Sequence, residues 1–373
     1  MKSGAIKCAV CALLFFSSQA QAQCRSEDDR FRAEHLVEVP AGGLLLGIEP
    51  GAESLLIELQ GPQQSLNYAS PAGPALEHFI VLGSELQNES YTVCVYARYP
   101  HSSPSTLHLY DMPLRSIPAS EIELRTSMSE AYGFWADDTF QSRDEAVQIF
   151  ANVAAAARSV SEDLMRDALL MMAKAQLRQA DFINALDTLS EISAVPGDPI
   201  EDYKTTWATG EARLRVNDLA GAIESLQSAA NSIVKIPAEF SDRSSRDLID
   251  IRILLAEALL AARQIEQAEE QISLAAEMAG EESRLIGRLH DVMGFLAIRR
   301  SEQPGLALAE QRQHLSEAID IMLAGRIYSA EAADPVPMAA FENNLGFVYD
   351  RLGEYRRALI HYRNILDTVD PAE

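Results

Sequence analysis

The sequence predicts a two-domain α+β chain, an N-terminal β-sandwich or jelly-roll followed by an all-α solenoid of helical hairpins. Three observations predict it. Between residues 24 and 117, short β-rich segments alternate with turn formers. Beyond Ser120 the apolar pattern changes to helical spacing and keeps it. Within that stretch, an alanine followed four places later by a large apolar residue recurs along the chain, as stacked repeats require.

Residues 1–22 read as a secretory signal peptide. Lys2 and Lys7 supply the positive start, Cys8 to Phe16 an apolar run too short to span a bilayer, and Ala20-Gln21-Ala22 the cleavage site. The mature protein is therefore expected in the periplasm or outside the cell, without a membrane span. Cys8 and Cys11 leave with that segment. Cys24 and Cys94 remain, and in an oxidising compartment the simplest outcome is one disulfide. Closing a loop of about 70 residues contributes on the order of 4 kcal/mol through chain entropy.

Residues 24–117 make up the expected β domain. Leu55 to Leu59, Phe79 to Leu82 and Tyr91 to Tyr96 carry the strand pattern, divided by Gly42-Gly43, Pro50-Gly51, Gly61-Pro62 and Pro71 to Pro74. Residues 118–373 make up the solenoid. Ser120 with Glu123, Ser142 with Glu145, Ser159 with Glu162 and Ser244 with Asp247 look like capping boxes. The alanine pairs are Ala146/Phe150, Ala185/Leu189, Ala222/Leu226, Ala268/Ile272 and Ala358/Tyr362. The alanines lie 39, 37, 46 and 90 residues apart, the last gap holding a degenerate unit around Met293-Gly294 and Pro304-Gly305. About five or six hairpins follow.

The last stretch, AAFENNLGFVYDRLGEYRRALIHYRNILDTVDPAE from Ala339, carries the fullest repeat. Leu345, Gly346, Tyr349, Leu352-Gly353, Tyr355, Ala358, Tyr362 and Pro371 fill its slots, with the Pro one place late. It closely resembles a tetratricopeptide (TPR) repeat, and residues 131–373 as a whole look like a TPR array. Such hairpins bury their apolar faces only against neighbours, so the resemblance implies a binding scaffold. The fullest repeat stands last, without a polar capping helix, so self-association through that uncapped C-terminal repeat is a further expectation. The order of parts, with the strand YTVCVYARYP from Tyr91, also resembles the front half of secreted bacterial proteins ending in a CHAT domain, a caspase-like peptidase. The family's catalytic His and Cys would lie past residue 373, and no residue here matches them. The alternative reading is thus a regulatory part of a CHAT-type protease.

The TPR resemblance implies which residues face the concave groove. Counted from the second-helix Ala, they are Lys174, Arg178, Lys204, Trp207, Glu211, Arg215, Arg299, Asn343, Phe347 and Arg351, with Arg288 and Phe295 placed by Gly294. Arg178, Arg215, Arg299 and Arg351 hold equivalent positions. A row of guanidiniums suits an acidic or extended peptide. The same position ends a helix, where a cation also offsets the helix dipole. Trp207 is either a groove anchor or packing, and Trp135 with Phe134 is expected to seal the junction with the β domain.

Charge sets limits on partners. Fifty-five acidic residues against 31 basic give a formal −24, which argues against nucleic acid or an anionic membrane surface. No HExxH, CxxC, EF-hand, GxSxG, P-loop or dinucleotide fingerprint occurs, so no metal, cofactor or catalytic residue is expected. His101 and His108 read as loop and strand residues, Asp137-Asp138 as a solvated loop, and Asn88-Glu89-Ser90 as a chance glycosylation sequon.

Overall fold

The computed structural model describes residues 24, 31–40, 43–49, 55–61, 65–69, 78–82, 90–97, 108–113, 117–137, 140–193, 199–235, 241–280, 283–331 and 335–368. The signal peptide, His101, Asp138 and most of the sequon lie outside the described residues.

Among the described residues, seven strands precede twelve helices. The strands are β1 (Phe31–Glu38), β2 (Leu44–Glu49), β3 (Leu55–Gln60), β4 (Ser65–Ala69), β5 (His78–Leu82), β6 (Ser90–Ala97) and β7 (His108–Pro113). They form two antiparallel sheets, in the orders β1-β6-β3-β4 and β5-β2-β7. β6 lies between β1 and β3, pairing Cys94 with Glu34 on one side and Glu58 on the other. Every side chain from Tyr91 to Tyr96 is buried, so both faces of β6 are covered, which explains its near-continuous apolar run. On one face Cys94 is disulfide-bonded to Cys24, with their Cα atoms 5.5 Å apart and Tyr96 beside them.

The helices are α1 (Ala119–Asp137), α2 (Phe140–Ala157), α3 (Glu162–Arg178), α4 (Phe182–Ser193), α5 (Pro199–Arg215), α6 (Leu219–Ile233), α7 (Ser241–Ala261), α8 (Ile265–Ala279), α9 (Ser283–Ser301), α10 (Leu308–Glu331), α11 (Pro335–Arg351) and α12 (Tyr355–Thr368). Taken in pairs they are six hairpins, and α1 also packs on β4 and β5. The four expected capping boxes are misplaced. Ser120, Ser142 and Ser244 lie inside α1, α2 and α7, and Ser161 rather than Ser159 caps α3, accepting from the Leu164 N–H.

The anticipated alanines Ala146, Ala185, Ala222, Ala268 and Ala358 all sit buried in second helices. The degenerate unit is α9–α10, and Ala318/Met322 is its equivalent pair, both fully buried. Small residues on the first helices receive these side chains. A methyl built on Gly210 would lie 2.6 Å from Leu226 Cγ, on Gly294 2.6 Å from Met322 Cε, and on Gly346 2.5 Å from the Tyr362 ring. The helices of these three hairpins therefore approach as closely as a hydrogen side chain permits.

Four hairpins share one turn. Ala180, Asn217, Arg263 and Gly353 each adopt a φ of 60–80°, after the same reverse hydrogen bonds to the preceding helix. Asp181, Asp218, Gln264 and Glu354 follow immediately and precede the first residue of the second helix. The α9–α10 connection departs from this: residues 302–307 replace the three-residue turn.

The core runs as overlapping clusters. One spans α1 to α5, the next α5 to α9, the third α9 to α12, so α5 and α9 are each shared. Odd-numbered helices also touch one another along the array, whereas even-numbered ones meet chiefly their chain neighbours. That asymmetry puts the odd helices on the inner, concave wall. Polar links cross the same wall: Arg166 to Asp202 at 3.3 Å, Tyr203 Oη to Asp247 at 2.6 Å, and Asn344 Nδ2 to Asp291 at 2.9 Å.

Candidate functional site

Two depressions among the described residues gather expected groove residues. The first, of about 400 Å³, brings together Lys174 and Arg178 from α3, Lys204, Trp207, Glu211 and Arg215 from α5, and Arg288 from α9. These are groove residues expected from the repeat pattern, now on one surface. Sequence reasoning missed Asp250 and Arg284, which complete it from α7 and α9; Asp250 holds before Ala268 the place that Lys204 holds before Ala222, whereas Arg284 precedes the counted positions. Trp135 also lines this cavity, under the Arg178 guanidinium at 4.2 Å from its ring centroid. Its expected place at the β-domain junction is corrected accordingly: it projects from the last turns of α1 toward α3.

The chemistry of this cavity is cationic. Lys174, Arg178, Lys204, Arg215, Arg284 and Arg288 face two acids, Glu211 and Asp250, on a chain that is strongly acidic overall. Arg288 pairs with Asp250. Arg215 lies 4.0 Å from Glu257, whose carboxyl burial pushes up to about 7 against the opposing pull of Arg215. Burial likewise raises the neighbouring Asp291 carboxyl, while the Asn344 amide lowers it. Both indoles are buried, Trp135 at 2% and Trp207 at 7% exposure. Neither Nε1–H has an acceptor among the described residues. A buried donor without a partner costs about 1–3 kcal/mol.

The second depression, of about 350 Å³, lies toward the C-terminus, lined by Arg263, Glu302, Gln311, Phe347 and Arg351 among others. Here the arginines are engaged. Glu302 accepts from Arg299 Nη1 at 2.7 Å and Arg351 Nη2 at 2.9 Å, with Arg263 Nη2 at 3.5 Å. Arg299 stacks over Phe295 at 4.7 Å and Arg351 over Phe347 at 5.0 Å, each ring fixing its guanidinium. Asn343 is exposed and donates to Asn344, and it is Asn344 that reaches the inner wall. The expected row of arginines is thus split between two environments.

Among the described residues, no three His, Cys, Asp or Glu gather to hold a metal ion. No described helix is long and apolar enough to cross a membrane.

No protein-family profile and no curated protein sequence matches the chain. Solved structures show a distant likeness. The apo form of RapI aligns at 16% identity and TM-score 0.44, covering 68% of each chain. A Rap protein complexed with competence and sporulation factor aligns at 14% and 0.42, over 68% of this chain and 88% of that one. BtubC (BKLC) from P. vanneervenii aligns at 18% and 0.38, over 67% and 91%. At these scores the likeness carries no inference about function.

Proposed function

We propose that the chain is an exported, non-catalytic scaffold of TPR type whose concave groove holds an acidic, extended segment of a protein partner. The observation that carries this reading is the first cavity, where cations from α3, α5 and α9 gather beside two buried tryptophans. Carboxylates on an extended chain match these cations. Arg215→Glu combined with Arg299→Glu tests it: pull-down of an immobilised acidic peptide should lose the variant and retain the native protein. Equal capture of both refutes the reading.

The finer organisation belongs to the same proposal: a signal peptide at 1–22, the two sheets stacked as a sandwich over 24–117, and a solenoid over 118–373. Sequencing the N-terminus of protein recovered from periplasm checks the first part, expected to begin at Gln23. The alternative, a regulatory part of a CHAT-type protease, rests on the order of the parts, and a His…Cys region encoded directly downstream would favour it. Self-association through α12 is supported by exposed Tyr355, Leu359 and Ile360 on that helix. Sedimentation velocity would show it as a dimer that Leu359→Glu dissociates, and a monomer at all concentrations removes it.

A further inference from the structure

The second depression holds an imbalance. Three guanidiniums, from Arg263, Arg299 and Arg351, surround one carboxylate, that of Glu302. Glu302 keeps 16% of its side chain exposed, so solvent and ligand can reach it. The Arg299 Nε–H is buried with no acceptor among the described residues, although Nη1 of the same group is bonded. One carboxylate therefore leaves the cluster short of negative charge.

The local sequence explains why Glu302 is there at all. Arg178, Arg215, Arg299 and Arg351 are each followed three residues later by an acid: Asp181, Asp218, Glu302 and Glu354. In the hairpins with the short turn, that acid sits immediately before the second helix. Asp218 caps α6, accepting from the Gly221 N–H at 3.1 Å, and Asp181 accepts from Asn184 at 2.7 Å. Glu354 turns to Arg357 at 2.9 Å. The longer 302–307 connection separates Glu302 from the start of α10, where Glu310 accepts from the Ala307 N–H instead. Glu302 has no helix to cap and turns into the groove.

We infer that Arg263, Arg299 and Arg351 form a second anion site, for a carboxylate of an acidic peptide, and that Glu302 occupies it until such a carboxylate displaces it. Arg299 and Arg351 present planar forks suited to a carboxylate, held in place by their phenylalanines. Gln311 and Phe347 line the space that the rest of the incoming residue would fill. This inference rests on the groove reading for the peptide's course along the array, while its own content is the displacement of Glu302.

Fluorescein-labelled hexaglutamate, followed by anisotropy at low salt, tests it with the full chain. Glu302→Gln removes the competing charge and should tighten binding about tenfold, since charge-assisted hydrogen bonds to arginine become available. Adding Arg351→Gln in that background should abolish the gain. Glu302→Asp keeps the charge but withdraws it by one methylene; a smaller tightening is expected, and this variant serves if Glu302→Gln fails to fold. Unchanged or weaker binding by the folded variants overturns the inference. The first cavity is read separately through tryptophan emission, since both tryptophans line it. An emission response in native protein with no effect of Glu302→Gln sinks the second site alone. Absence of the emission response sinks the first-cavity reading and leaves the Glu302 comparison to decide its own case.

Discussion

The two ends of the groove carry arginine at the same repeat position and use it differently. Toward the N-terminus, Arg178 lies on Trp135 and Arg215 stands 4.0 Å from a carboxyl whose ionisation burial opposes. Toward the C-terminus, Arg299 and Arg351 share Glu302 at hydrogen-bond distance. The difference comes from turn length. Where the turn is short, the acid after the arginine is committed to the next helix; where it is long, the acid returns to the groove. Position in a repeat fixes where a side chain points, and the adjoining connection decides what it meets.

The largest effect should come from reversing charge at the N-terminal end. Lys174→Glu with Arg215→Glu should weaken acidic-peptide binding about a hundredfold, as expected for two desolvated charge contacts. Fluorescence titration reads this, and a loss below threefold would place binding elsewhere. Packing gives the next contrast. Gly210→Ala drives a methyl into branched Leu226, with its backbone N 3.3 Å away, whereas Gly294→Ala meets the unbranched Met322. Chemical denaturation should show about 2 kcal/mol lost for Gly210→Ala and less for Gly294→Ala, because methionine repacks readily. Equal losses would mean the two hairpins are equally rigid.

Glu257 makes the N-terminal end sensitive to pH. Its folded pKa, about 7, exceeds the ordinary 4.5, so the unfolded chain gives up this proton first as pH rises. Its contribution therefore falls between pH 4.5 and 7 and stays unfavourable above. Glu257→Gln should stabilise the protein at pH 8 by ~1–2 kcal/mol, discounted because the side chain is 27% exposed, and make no difference near pH 4. The same variant should bind acidic peptide more tightly than native protein at pH 8 and equally well at pH 5.5. A pH-independent difference would contradict the assignment. The smallest effect is in the shared turn. Ala180 holds a left-handed φ that Gly353 adopts without steric cost, so Ala180→Gly should raise stability by about 0.5 kcal/mol, after the entropy of glycine is set against the strain relieved. A thermal melt that moves downward would show that the alanine is not strained.

Much of this was legible in the chain. The alanine and large-residue pairs located five of six second helices, because packing between two helices needs a small residue at a fixed spacing. Ala318/Met322 escaped because Ala318 lies 24 residues beyond Gly294, where Ala222 and Ala358 lie 12 beyond Gly210 and Gly346; the longer connection and the added first turns of α10 together make the difference. Lys174, Arg178, Lys204, Trp207, Arg215 and Arg288 could be placed on one wall from their repeat positions. Trp135 and Asp250 hold counted positions too, 11 residues before Ala146 and 18 before Ala268, as Lys174 and Lys204 do before Ala185 and Ala222, and Arg284 falls outside the count. Glu302 could be seen in sequence as an acid three residues after an arginine, but not as the meeting point of Arg263 and Arg351. The strands were legible as segments, while their division between two sheets depends on pairings far apart in the chain.

Tryptophan emission during titration with hexaglutamate tests the central claim most directly, because Trp135 and Trp207 are the chain's two tryptophans and both line the cationic cavity. A saturable change that rising salt abolishes and hexalysine does not produce is the predicted result. Emission that stays constant to millimolar peptide, in protein shown to be folded, would contradict it.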